Sequence, residues 1–234
     1  MFNEPNSSGS LRRFLMLKQQ DLKHQRPKRG KSEIRKDELI EATLECISSE
    51  GLQNATVRKV AEYAGVTNGL IRFHFGSKDQ MIQIAYQRLL EEIFQSSLAV
   101  VTESQLLPRE RLRRFLKANL SSPIVTAQTV ILWANFLPLT YKDEEMARIR
   151  REAYTKTTAL FEELIEAALV DEGKVGVDEY CSKQKCRHLA IKLNSLIDGL
   201  WLEGSTADNS PYKEELVVIG LDAASDLVGM NLRE

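Results

Sequence analysis

The chain has 234 residues, 43% of them hydrophobic and 28% charged, and its 12 glycines and 6 prolines are too few for a fold of many short strands and turns. The net charge of −1 hides an asymmetry: residues 1–80 carry 14 Lys and Arg against 10 Asp and Glu, whereas residues 81–234 carry 18 against 23. No run of 18 apolar residues could cross a membrane, and the patch Phe14, Leu15, Met16, Leu17 is too short for a signal-peptide core, so a cytoplasmic protein is expected.

Residues 1–31 lack a sustained apolar period and hold eight basic residues against Glu4 and Asp21, which predicts a flexible basic arm with a short helix near 11–22. Helical periodicity begins at Ser32. A first helix is predicted over about 33–49, with Ile40, Leu44 and Ile47 on one stripe and Gly51 suited to the left-handed residue that ends it. Thr56 is placed to cap a second helix, in which Val57, Val60, Ala61 and Ala64 repeat at helical spacing. Gly65 follows at once, then Val66 and Thr67, so two short helices are joined by a glycine-containing turn of three to four residues, a helix-turn-helix.

Thr67 is placed to cap a third helix over about 68–75. On a helical wheel Ile71 and Phe75 share one face and should pack on Val66 and Ala61, which leaves Gly69, Leu70, Arg72 and Phe73 on the other. A short helix that shows glycine, a guanidinium and an aromatic ring outward is poorly explained by solvent and well suited to a DNA major groove. Thr67, Asn68, Arg72 and Phe73 are therefore assigned to base edges and the adjoining backbone. Thr56 and Arg58, at the start of the second helix, are placed to touch phosphate. Ser77 and Gln80 form a capping box for a fourth helix that runs to about 100.

Longer helices follow. Pro108 opens one over about 108–120, and Ser122-Pro123 is predicted to cap the next, which Leu137-Pro138 ends. The stretch from Asp143 to about Val170 carries Met146, Ile149, Ala153, Leu160, Phe161, Leu164 and Ile165 on one period, with acids in its first turn. Another helix covers about 178–203, and Ser210-Pro211 opens the last, to about 230, whose Gly220, Ala223 and Ala224 permit close approach by another helix. Cys46, Cys181 and Cys186 form no paired framework. Cys181, Cys186 and His188 match no common zinc spacing, so neither a metal nor a cofactor is expected.

The stretch Leu39–Met81 resembles the TetR/AcrR family of one-component regulators: Gly51, Gly65, Gly69, His74-Phe75 and Ser77-Lys78 fall where that family has them. Leu132–Phe136 and the run Leu196-Ile197-Asp198-Gly199-Leu200-Trp201-Leu202 are similar to its BetI-type branch, whose namesake controls choline-to-betaine genes. The resemblance implies an all-α, nine-helix protomer, in agreement with the nine helices counted from punctuation. It implies a helix-turn-helix domain over 32–78 and a ligand-binding and dimerisation domain over 79–234, whose last two helices pair with their mates in a four-helix bundle. It also implies that Lys78 and His74 contact phosphate. The family often has tyrosine where this chain has Arg72, and the long arm before Ser32 is a second departure.

The expected function is therefore that of a homodimeric repressor that binds an inverted-repeat operator in double-stranded DNA and is released by a small molecule. The alternative is a helical ligand- or partner-binding module without sequence-specific readout. The expected ligand pocket draws on Trp133, Phe136, Tyr141, Tyr154 and Trp201, with Asp198 one turn from Trp201. Rings beside an acid suit a quaternary amine or related metabolite through cation–π attraction, although each ring taken singly is better explained as core. An enzyme is not expected: the three histidines are scattered at 24, 74 and 188, and no glycine-rich phosphate loop or nucleophile motif occurs.

Overall fold

The computed structural model describes residues 31–102, 105–174, 179–205 and 215–233. Among them the regular elements are nine α-helices and one 3₁₀ turn, with no strand, as the punctuation predicts. They are α1 (Lys31–Glu50), α2 (Val57–Tyr63), α3 (Asn68–Phe75), α4 (Lys78–Ala99) and α5 (Pro108–Ala118). After these come α6 (Ala127–Phe136), the 3₁₀ turn Leu137–Tyr141, α7 (Glu144–Asp171), α8 (Glu179–Ser205) and α9 (Leu216–Val228). Residues 1–37 and 38–234 are separate units, and of the first only the opening turns of α1 are described. The predicted arm up to residue 30 and the Ser210-Pro211 start of the last helix lie outside the described residues.

Local chemistry sets most helix ends. Thr56 accepts a hydrogen bond from Lys59 N at 3.2 Å, which caps α2. Gly65, at φ +63°, takes the left-handed conformation that turns α2 into α3, a position where a side chain would be strained. Ser77 accepts from Gln80 N at 3.1 Å to start α4, and Pro108 occupies the first turn of α5. Two expected caps differ. Thr67 has the extended backbone of a cap residue, but its hydroxyl makes no cap hydrogen bond. The sixth helix starts at Ala127 rather than at Ser122-Pro123, because Thr126 accepts from Thr129 N at 3.1 Å and its hydroxyl pairs with that of Thr129 at 2.8 Å.

Two hydrophobic cores result, and α4 feeds both. The first gathers Leu39, Ile47, Val60, Ile71 and Phe75 of the helix-turn-helix around Met81, Ala85, Tyr86 and Leu89 of α4. Leu132 and Phe136 of α6 and Met146 and Ile149 of α7 complete it. The second lies among α5, α7, α8 and α9, with Phe115 and Phe161 in edge-to-face contact at 4.7 Å between ring centres. Gly220 is buried and Ala224 belongs to this second core, so the close approach that the small residues of the last helix permit is made, at these two, within the protomer. A Cβ at Gly220 would stand 2.2 Å from Leu120 Cδ1 and 3.2 Å from Leu200 Cδ1, so the glycine lets α9 close on its own protomer.

Asp143 ties the start of α7 to α4. It caps α7 by accepting from Glu145 N at 2.9 Å and Met146 N at 3.0 Å, and it accepts from the Gln83 side chain of α4 at 3.1 Å. The bond from Met146 N holds its pKa below the usual carboxylate value; burial opposes this, and Gln83 and Glu145 N reinforce it. A carboxyl with a depressed folded pKa stabilises the fold above its unfolded pKa, about 3.9, and that contribution fades as pH falls through the folded value. Asp143→Ala should therefore lower stability by about 1 kcal/mol at pH 7, and the difference should shrink below about pH 4 in urea titrations run across that range.

Candidate nucleic-acid interface and internal cavity

Helix α3 is docked by two side chains. Ile71 and Phe75 are buried in the first core beside Ala61, with Val66 packed against them, as the wheel predicts. The remainder of the helix is displayed: Thr67, Asn68, Gly69, Arg72 and Phe73 are exposed, and Phe73 is 79% exposed. Its ring meets His74 edge-on at 5.2 Å, and His74 is half-buried. Leu70 departs from its expected outward place, because it is half-buried and packs on the core. A Cβ at Gly69 would meet nothing closer than Thr67 Oγ1 at 3.9 Å, so no packing within the chain demands glycine there.

The flanking residues are more occupied than the sequence indicates. The Thr56 hydroxyl is already an acceptor in its helix cap. The Arg58 side chain is 83% exposed and pairs with Glu62 at 3.3 Å, an exposed ion pair of the kind worth about 0–1 kcal/mol and readily exchanged for another anion. Lys59 and the Tyr63 hydroxyl both engage Glu50, at 3.3 and 3.1 Å, and so fasten α2 to α1. Lys78 is the first residue of α4 and half-buried, at a helix end whose free N–H groups favour an anion.

A cavity of about 80 Å³ lies among α4, α5, α6, α7 and α8. Four of the six expected ligand residues line it: Trp133, Tyr154, Asp198 and Trp201. The indoles of Trp133 and Trp201 meet edge-to-face at 6.0 Å, and Trp201 Nε1 donates to the Asn119 carbonyl at 2.6 Å. The other two are elsewhere. Phe136 is fully buried in the first core, where it stacks on Tyr86 at 4.9 Å, and Tyr141 is 86% exposed on the 3₁₀ turn.

The residue that the sequence reading missed is Arg150. Its Nη2 donates to Asp198 Oδ2 at 3.4 Å, and its guanidinium carbon stands 5.6 Å from the centre of the Trp133 ring. Burial raises the Asp198 pKa, and the Arg150 charge and hydrogen bond oppose it. Arg150 is also the cation nearest in effect to Tyr86, whose pKa burial pushes up and Arg150 pulls back. In sequence Arg150 stands in the run Arg148-Ile149-Arg150-Arg151, where nothing separates an inward arginine from solvated ones; only Tyr154, one turn on, hints at its side.

The described residues contain no helix long and apolar enough to cross a membrane. Residues 39–84 match the family model for bacterial regulatory proteins of the tetR family, and residues 108–228, more than half of the chain, match that for the C-terminal region of BetI-type transcriptional repressors. The HTH-type transcriptional regulator BetI of Burkholderia cenocepacia is 29% identical over 185 residues, 77% of this chain and 87% of the relative. A transcriptional regulator from Pseudomonas aeruginosa PAO1 superposes with a TM-score of 0.72 at 29% identity, covering 88% of this chain and 96% of that one. A regulator from Saccharomonospora viridis, solved in complex with choline, gives a TM-score of 0.68 at 20% identity, over 84% of this chain and 96% of that one. This chain belongs to the BetI-type branch of the TetR family of DNA-binding transcriptional regulators.

Proposed function

We propose that this regulator works in the cytoplasm as a homodimeric repressor, binds an inverted-repeat operator through α3, and leaves it when a small amine-bearing effector enters the cavity lined by Trp133, Tyr154, Asp198 and Trp201. The observation that carries the DNA reading is the outer face of α3, where Arg72 and an almost bare Phe73 ring stand beside a glycine that the fold does not need. Thr67, Asn68, Gly69, Arg72 and Phe73 read base edges in the major groove, with Leu70 bracing the helix behind them. Thr56, Arg58, His74 and Lys78 hold phosphate. A choline-bound relative of the same fold supports an amine effector. Exposed Ile191, Leu202, Val218, Ile219 and Leu227 on α8 and α9 support a dimer built on those helices. Selection of bound sequences from a random DNA pool tests this reading. An inverted repeat with half-sites one or more helical turns apart is expected, and a pool that stays random favours the module without readout.

Two variants separate the roles. Lys78→Ala should weaken every DNA sequence alike and lower the salt slope by about 1 per protomer, read from anisotropy titrations at several salt concentrations; an unchanged slope removes Lys78 from the contacts. Gly69→Ala should leave thermal stability equal or slightly higher, since alanine is the better helix former and meets open space. The same change should weaken operator binding, because the added methyl group stands where the DNA backbone or bases approach. Full operator affinity in Gly69→Ala would take α3 away from the duplex.

Induction follows as a population shift. An effector that binds one arrangement of α4, α6 and α7 better than another moves the head, because Leu132, Phe136, Met146 and Ile149 are shared between the cavity helices and the core under α3.

A further inference from the structure

Among the described residues the charged groups that line the cavity are one cation, Arg150, and one anion, Asp198. They meet through a single 3.4 Å contact, well beyond the length of a strong charge-assisted hydrogen bond and without the paired geometry that arginine and carboxylate adopt when they are each other's final partners. Asp198 Oδ1 has no hydrogen bond among the described residues, and Arg150 spends one face on the Trp133 ring. The pair is loosely closed over a space lined by indoles and by Tyr154, Thr157 and Asn194.

From this we infer that the effector is a small zwitterion, whose carboxylate takes Arg150 and whose ammonium takes Asp198 and the indole surface that lines the cavity. This deepens the proposed function and rests on its placement of the effector in this cavity. A simple cation finds Asp198 already neutralised and one face of Trp133 already covered by a guanidinium, and it brings an uncompensated charge into a half-buried site. An anion meets the opposite defect. A zwitterion opens the internal pair and gives each partner a new one, so the charge of the site is unchanged and neither half-buried ion is left alone. The raised pKa of Asp198 agrees with this, because burial disfavours its charged form and a cation beside it offsets that.

Calorimetry on the full chain compares glycine betaine as zwitterion, choline as cation and butyrate as anion. The wild type should bind glycine betaine about tenfold or more tighter than either of the others. Arg150→Met should reverse the order in favour of choline, Asp198→Asn should shift it toward butyrate, and Arg150→Lys should keep the wild-type order. Should Arg150→Met fail to fold, the Asp198→Asn and Arg150→Lys results decide alone. Choline binding as tightly as glycine betaine to the wild type, or orders that do not move with these charges, overturns the zwitterion. Ala153→Phe, which fills the cavity wall, is the separate check on the site itself: if it leaves binding and operator release intact, the cavity placement falls, whichever ligand was preferred.

Discussion

Arg72→Ala should abolish most sequence-specific operator binding while leaving the protein as stable as the wild type. The side chain is exposed on α3, so its removal opens no cavity and strands no buried partner. Its guanidinium can pair with guanine O6 and N7 in a fork geometry worth about 1–3 kcal/mol per site. In a dimer the loss is taken twice, which corresponds to roughly thirtyfold to twenty-thousandfold in affinity for the selected operator. Binding to unrelated DNA should fall far less, since only one positive charge per protomer is lost. Anisotropy with operator and scrambled duplexes, beside a thermal melt, separates these terms. Equal losses on both duplexes would make Arg72 a phosphate contact. The result also bears on why this chain departs from the tyrosine common in its family: arginine supplies the two parallel donors that guanine O6 and N7 accept together, and a tyrosine hydroxyl supplies only one.

The head of the molecule was legible because its signals are local. Two buried positions, Ile71 and Phe75, fix the rotation of α3, and an eight-residue helix has no freedom to present any other face once they are docked. Gly65 and the caps at Thr56 and Ser77 act over three residues, so they can be recognised without knowing what lies across the fold. The body was less legible because its outcomes depend on partners far along the chain. Phe136 and Trp133 stand one turn apart on α6, yet one stacks on Tyr86 under the head and the other lines the cavity. No periodicity in ten residues distinguishes those fates. Gly220 faces Leu120, a hundred residues earlier, and Arg150 faces Asp198, so a small-residue stripe and a run of arginines acquire direction only when α7, α8 and α9 are packed. The sixth helix start was misplaced for a simpler reason: Ser-Pro is a common opening, but the Thr126–Thr129 pair supplies the actual cap.

Phe136 is where those two kinds of information meet, and its replacement should have the largest effect on the fold. The ring is fully buried, stacks on Tyr86 of α4 at 4.9 Å, and joins Leu132, Met146 and Ile149 in the core that also holds Ile71 and Phe75. Phe136→Ala should destabilise by about 3–5 kcal/mol, the range for deleting a buried aromatic side chain. For a chain of this size about 2–4 °C of melting temperature accompanies each kcal/mol, so a fall of roughly 6–20 °C is expected. The milder Phe136→Leu should keep the fold and the operator affinity but, on the proposed induction, weaken coupling, because the contact between α6 and α4 becomes smaller and less directional. In that variant an effector bound with wild-type affinity should release the operator less completely, measured by titrating effector into a preformed DNA complex. Full release by Phe136→Leu would mean that the signal reaches α3 through Met146, Ile149 and the Gln83–Asp143 bond instead, and Gln83→Ala would then be the variant that uncouples the two ends.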